Sequence, residues 1–407
     1  MRILFFATYP TQPTGYGRIG NILTNHLASH GHEVHYLGIS HFKDSAIERD
    51  VHPFIHLIDA LAERSPESTE LYGVDIICAQ IQRIKPDVVM IYNDMIVINR
   101  ILNEFINTKI EKNFKLCIYL DLVYEYQRLL YLQNINIWAD LIMVFSECWQ
   151  RNLLRLGVPG DKIAILPHGF DEGLFAPLDT VMAKKIMGFE PDDFVVLNSN
   201  RNAYRKAHDI TITAFIQFLK KHDYNSKLKL FMNLVTHSPQ GYTITDLIRI
   251  LCLKEGADYE RVVLNHIFIR PTDNYLPDDK LNILYNACDV GINTCLGEGF
   301  GLCNLEQACI GKPQIVSKVG ALADIFWPTY GTLIEPKAEL YLTNLTEDHQ
   351  GYVQICKAAD FADALEMYYV NREVATNHGA VARAVLTKKY AWPSILATFE
   401  KQLLALL

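Results

Sequence analysis

Short, largely apolar runs recur along the first half of the chain, and they limit its fold more than any other feature. They fall at Ile3–Ala7, Val34–Leu37, Val88–Tyr92, Leu116–Leu120, Leu141–Phe145 and Ile163–Leu166. Strands buried on both faces read this way, and a parallel sheet is the arrangement in which both faces are covered. The segments between them carry helical spacing. Ile19–His30 places Ile22, Leu23 and Leu27 on one face, and Gly31-His32 closes it. Strand and helix in alternation predict a doubly wound α/β domain.

One such domain does not use up 407 residues. The rhythm breaks at Pro167-His168-Gly169-Phe170-Asp171 and stays broken through Gly188 to Asp193, a stretch rich in Pro, Gly and acid. It restarts at Phe194–Asn198, with further strands expected at Leu228–Met232, Val262–Leu264, Val290–Ile292, Gln314–Ser317 and Gly331–Ile334. Two Rossmann-like α/β domains in tandem, with a cleft between them, are therefore expected. The last segment, Ile395–Leu407, reads as a helix with Leu396, Phe399, Leu403 and Leu404 available for burial. Such a helix needs a partner surface.

The formal charge of −8 and a pI near 6 provide no general field for nucleic acid or anionic lipid. Nucleic acid is excluded as a partner on this reading, and membrane contact is peripheral at most. Any phosphate must be held by local groups, so the ligand is small. Nine cysteines form no CxxC pair and sit in apolar runs such as Leu116-Cys117-Ile118, which fits reduced core residues in a cytoplasmic protein. The apolar run at the N-terminus, Ile3–Ala7, is too short for a signal peptide or a membrane span.

Three motifs carry chemistry. In Gly297-Glu298-Gly299-Phe300-Gly301-Leu302-Cys303-Asn304-Leu305-Glu306, two acids flank the start of a helix whose glycines let backbone amides approach a ligand. At about 1.5 Å per helical residue, Glu298 and Glu306 are on the order of 10 Å apart. That exceeds the roughly 5–5.5 Å of a retaining glycosidase pair. Asn200-Arg201-Asn202-Ala203-Tyr204-Arg205-Lys206 follows the strand that opens the second domain and precedes the helix Asp209–Lys221. Cations before a helix are unfavourable unless an anion compensates, so Arg201 and Lys206 read as ligands for a diphosphate. The third motif, Gly15-Tyr16-Gly17-Arg18-Ile19-Gly20, is a GxGxxG string. Seven residues, Thr8 to Thr14, separate it from the first strand, and Leu37–His41 offers no acid for a ribose. A glycine loop lining a cleft fits better than a dinucleotide site.

The E-x7-E spacing of Glu298 and Glu306, Gly311-Lys312-Pro313, Val319–Ile325, the Arg201/Lys206 pair and the segments Val144–Glu147 and Leu166–Asp171 together resemble glycosyltransferase family 4. The resemblance spans nearly the whole chain. It implies the GT-B fold, two Rossmann-like doubly wound domains facing across a cleft, divided as residues 1–188 plus 389–407 and residues 189–388. The first would be the acceptor side and the second the nucleotide-sugar side. It also implies retaining transfer from a nucleoside diphosphate sugar to an acceptor hydroxyl, with the departing phosphate taking the acceptor proton. Arg201 and Lys206 would hold the diphosphate, Glu298 the sugar hydroxyls and Glu306 the ribose. Gly299 and the amides of Phe300, Gly301 and Leu302 would meet sugar and phosphates, and the Gly15-Tyr16-Gly17 loop would approach the diphosphate.

Two positions depart from the family pattern. Asp121 stands where many members carry a histidine, and is held as a candidate catalytic residue. His168 stands where asparagine is usual and reads as a hinge-packing residue. The nucleobase is expected near Val235–His237 and Phe268, Ile269, Arg270 and Pro271, with GDP-mannose a first guess and UDP-sugars close behind. The chain has no Asp-x-Asp pair to hold a metal on the donor, so no cofactor or metal is expected. The acceptor, whether glycan, lipid or small molecule, is not legible. A nucleotide-sugar or glycan-binding protein without turnover, and an epimerase or phosphorylase of similar fold, stay open as alternatives.

Overall fold

The computed structural model describes residues 1–270, 276–343 and 349–407. They form two compact units, Met1–His168 with Trp392–Leu407, and Gly169–Ala391.

In the first unit seven parallel strands, β1 (Arg2–Thr8), β2 (Glu33–Ile39), β3 (Ile55–Asp59), β4 (Val88–Asp94), β5 (Lys115–Asp121), β6 (Leu141–Val144) and β7 (Ile163–Ile165), lie in the order β3-β2-β1-β4-β5-β6-β7. Succession reverses between β1 and β4, the switch point outside which open α/β sheets bind ligands. β3 has no counterpart among the strands expected from sequence. It is an edge strand with His56 and Leu57 exposed, so it lacks the continuous apolar run that marked the others. The helix Trp392–Leu404 belongs to this unit and buries Ile395, Phe399 and Leu403. Leu404, expected inside, is exposed, because the buried face repeats every four residues from Ile395.

The second unit has the same design with six parallel strands, β8 (Phe194–Asn198), β9 (Leu228–Met232), β10 (Ile267–Ile269), β11 (Val290–Asn293), β12 (Gln314–Ser317) and β13 (Thr332–Ile334). Their order is β10-β9-β8-β11-β12-β13, so the switch point lies between β8 and β11. A hairpin of β14 (Ala338–Leu342) and β15 (Gly351–Ile355) stands apart from the sheet. One face of the sheet is covered by the helices His208–Lys221 and Ala358–Val370, which bring Phe215, Phe218, Phe361 and Leu365 onto Val196, Leu230 and Met232. The strand expected at Val262–Leu264 is a helix, Tyr259–Asn265. Asp258 caps it by accepting from the Arg261 amide at 2.9 Å, and Leu264 is exposed, so the apolar triplet belongs to a one-sided helix.

Residues 169–188, grouped above with the first domain, lie in the second unit. Asn282 and Asn286 accept from the amides of Ala176 and Leu178, and the Phe175 ring packs on Tyr285. The two stretches where the chain passes between units are tied together, the Phe170 amide donating to the Tyr390 carbonyl at 2.7 Å.

Gly379, in the helix Arg372–Lys389, meets the backbone of Gly311 so closely that a Cβ there would sit 2.0 Å from the Gly311 carbonyl oxygen. Gly379→Ala is therefore expected to lower the urea midpoint by the equivalent of about 1–3 kcal/mol. Val385→Ala, on the exposed side of the same helix, should shift it by less than about 0.5 kcal/mol. Equal midpoints for the two variants would contradict this helix approach.

Candidate functional site

The strand ends at the switch point of the second unit gather polar side chains. β8 ends in Asn198, which accepts from the Asn200 amide, and β11 ends in Asn293. A single 3-10 turn, Tyr204–Lys206, leads through Ala207 at φ +46° into the helix His208–Lys221 and places Arg205 and Lys206 side by side. After β11 the chain passes Gly297 and Glu298 to Gly301, whose φ of +92° starts the helix Leu302–Cys309. A Cβ on Gly301 would lie 2.6 Å from Leu322 Cδ2, so backbone angle and packing both require glycine.

Lys206 Nζ donates to Glu298 Oε2 and, at 2.9 Å, to Asn200 Oδ1. Arg205 Nη1 lies 3.7 Å from Glu298 Oε1 and donates to the Gly297 carbonyl at 3.3 Å. Asn293 Nδ2 faces the same carboxylate at 3.4 Å and donates to Asn304 Oδ1 at 2.8 Å. Lys206 and Glu298 are each 6% exposed. Burial alone would push the Glu298 carboxyl up; the Lys206 ammonium and the Arg205 guanidinium outweigh it and hold its pKa at about 2. Glu298 is therefore ionised at neutral pH. Two cations gathered beside the start of a helix make a setting that suits an anion.

The other expected residues are placed as follows. Arg201 is exposed, and its carbonyl accepts from His208 Nε2 at 3.0 Å. Glu306 is buried and accepts from the Tyr285 hydroxyl at 2.9 Å. Gly299, Phe300 and Gly301 are buried, and Leu302 opens the helix. Of the base-side residues, Phe268 packs edge-on against Phe189 at 5.7 Å and Ile269 lies against the apolar core. Arg270 stands at the end of β10 and donates to Asn233 Oδ1 at 3.4 Å. Pro271 lies outside the described residues. The sequence reading passed over Arg205, Asn200, Asn293 and Tyr285. A legible signal existed for one of them: an asparagine directly after a buried apolar run, as Asn293 follows Val290-Gly291-Ile292.

At the switch point of the first unit, Tyr16 donates to Asp121 Oδ2 at 2.6 Å, and its ring packs against Tyr92 of β4 at 4.8 Å. Burial, then the Asp121 and Asp94 charges, raise the Tyr16 hydroxyl well above its ordinary range, so it remains a donor. Gly15-Tyr16-Gly17 is no loop. It is the first turn of α1 (Gly15–Ser29), capped by Thr14, whose hydroxyl accepts from the Gly17 amide at 3.1 Å. A Cβ on Gly17 would lie 2.8 Å from the Gln12 carbonyl oxygen, which explains the glycine without a ligand. His168 is buried between Tyr92, Tyr119 and Phe145, and its Nδ1 lies 2.9 Å from the Tyr119 hydroxyl. Burial drops its pKa to about 3, which suits packing and removes it from acid–base work at neutral pH.

Residues 272–350 match the family described as Glycosyl transferases group 1. A D-inositol 3-phosphate glycosyltransferase of Acidothermus cellulolyticus is 30% identical over 185 residues, 45% of this chain and 39% of that protein. Part of the chain is thus similar to group 1 glycosyltransferases. A second relative, mannosylfructose-phosphate synthase of Agrobacterium fabrum, is 25% identical over 41% of this chain and 35% of its own length. The chain thus spans about two fifths of these relatives. Sucrose-phosphate synthase of Thermosynechococcus elongatus superposes with a TM-score of 0.74 at 17% identity, over 100% of this chain and 99% of that one. Anabaena HepE, solved with UDP-glucose, reaches 0.71 at 14% identity over the whole of both chains. The fold is the GT-B fold that these two structures share.

Removing the Glu298 charge leaves Lys206 buried beside Arg205 without its anion. Glu298→Gln is expected to cost about 3–5 kcal/mol in urea unfolding at pH 7, and Lys206→Met added to it should recover most of that. Because the folded pKa lies below the ordinary 4.5, the stability due to Glu298 is fully present above pH 4.5 and is lost as pH falls toward 2. The gap between wild type and Glu298→Gln should therefore close over that window. A pH-independent gap would contradict the ionised pair.

Proposed function

We propose that the protein transfers a sugar from a nucleoside diphosphate donor to an acceptor hydroxyl, with retention of anomeric configuration and with no metal on the donor. The observation that carries this is the buried Lys206–Glu298–Arg205 cluster at the β8/β11 switch point, next to the start of the helix Leu302–Cys309. Lys206, Arg205 and the first amides of that helix supply positive potential where the diphosphate gains charge on leaving. Arg201, from the same connection, adds a further cation for it. Glu298 accepts from sugar hydroxyls while holding Lys206 in place. Glu306, fixed by Tyr285, accepts from the ribose. The departing phosphate takes the acceptor proton, so no separate protein base is required.

On the first unit, Asp121 held by Tyr16 is assigned to the sugar or acceptor hydroxyl. For the donor, the Anabaena structure with UDP-glucose favours a UDP-sugar over GDP-mannose. The names of both curated relatives favour a small phosphorylated acceptor. Nine cysteines, seven of them buried, support a cytoplasmic setting. Among the described residues no helix is long and apolar enough to cross a membrane.

The test is transfer from UDP-glucose and GDP-mannose, after a thermal-shift screen of UDP, GDP and ADP. Glu298→Ala and Lys206→Ala are each expected to lower the rate about 10²–10³-fold. Wild-type rates in both would end the proposal, and nucleotide binding without turnover would leave a binding protein. Activity should survive EDTA; loss that manganese restores would overturn transfer without metal. The sugar product should keep the donor's anomeric form in its proton NMR spectrum.

A further inference from the structure

α1 ends in a group of histidines that the transfer reaction does not use. His26 and His30 lie four residues apart and so share one helix face. Both aim at one atom, Glu400 Oε2, with His26 Nε2 at 3.0 Å and His30 Nδ1 at 2.5 Å. Glu400 comes from the helix Trp392–Leu404, 374 residues away in sequence from His26. His32 Nε2 meets the other carboxylate oxygen at 2.9 Å, and its Nδ1 lies 3.3 Å from the Met1 amine. His26, His32 and the Glu400 side chain are mostly shielded, while His30 is about half exposed.

We propose that His26, His30 and Glu400 form a zinc-class metal site that fastens the C-terminal helix to α1. Imidazole nitrogen and carboxylate oxygen are zinc's own donor types, bound at about 2.0–2.2 Å. Three donors on a tetrahedron of that size stand about 3.4 Å apart. Here the three ligand atoms all lie within 4.8 Å of one another, and among the described residues they are the only such group of His, Cys, Asp or Glu. An outward shift of Glu400 by less than about 1 Å would admit the ion, leaving the fourth position to water. His32 would then hold the free carboxylate oxygen, as outer partners of metal ligands commonly do. Tyr16 lies ten residues back along α1, about 15 Å at helical rise, so the site is separate from the Tyr16–Asp121 pair. The ion would close a very long loop and hold the returning helix on the first unit.

The test uses the full, tag-free chain stripped of metal, with zinc, and magnesium as control, followed by equilibrium dialysis and thermal unfolding. Saturable binding of one zinc per chain with a rise in melting temperature is expected, and no response to magnesium. His30→Ala, at a half-exposed position where the fold should be kept, and Glu400→Gln should each weaken zinc binding by at least about tenfold. His222→Ala, which removes a histidine paired with Glu366 in the second unit, should leave it unchanged. No saturable binding, or binding that these two variants leave intact, would overturn the site. Transfer activity is not the readout, so failure here is distinguishable from failure of the proposed reaction.

Discussion

The second unit is built around a buried charge pair. Lys206 and Glu298 come from opposite sides of a switch point, and neither can be taken from water without the other, because an isolated buried charge costs several kcal/mol. That requirement fixes the local chain. Ala207 takes a left-handed backbone to turn Lys206 inward, Gly301 does the same to start the next helix, and Asn200 and Asn293 take up the remaining hydrogen bonds. Hydrophobic residues of similar size would give equal or better stability at less cost. A buried charged cluster at a switch point is the feature on which the proposed ligand site rests.

The same topology serves both units. Parallel strands whose order reverses once leave their carboxyl ends diverging, and the residues just beyond those ends become neighbours although far apart in sequence. Lys206 and Glu298 are such a pair in the second unit, and Tyr16 and Asp121 in the first. Strand interiors need only be apolar and β-branched; the chemistry is confined to the few residues after each strand.

This division explains what could be read in advance. Strands buried on both faces, such as Ile3–Ala7, Val88–Tyr92 and Leu116–Leu120, announce themselves by unbroken apolar runs. β3 stays hidden because its segment Ile55-His56-Leu57-Ile58-Asp59 is interrupted by polar residues and exposes His56 and Leu57, and Val262–Leu264 misleads because three apolar residues fit a helix as well as a strand until the Asp258 cap is weighed. Glu298, Lys206 and Glu306 were legible from charge placed against a helix start. That Arg205 would share Glu298 was not, since a 3-10 turn, which decides which neighbouring side chain turns inward, has no strong sequence signal. The GxGxxG string shows the converse: Gly17 answers to the backbone of Tyr9 and Gln12, and the pattern carried no ligand information by itself.

The proposed reaction places the sugar diphosphate at the Lys206–Glu298–Arg205 cluster. A crystal structure of the protein with an intact UDP-sugar tests it most directly. The diphosphate is expected within hydrogen-bond reach of Lys206 and the amides that start the helix Leu302–Cys309, with sugar hydroxyls on Glu298. A nucleotide bound elsewhere, with the Lys206–Glu298 pair closed and untouched, would contradict it.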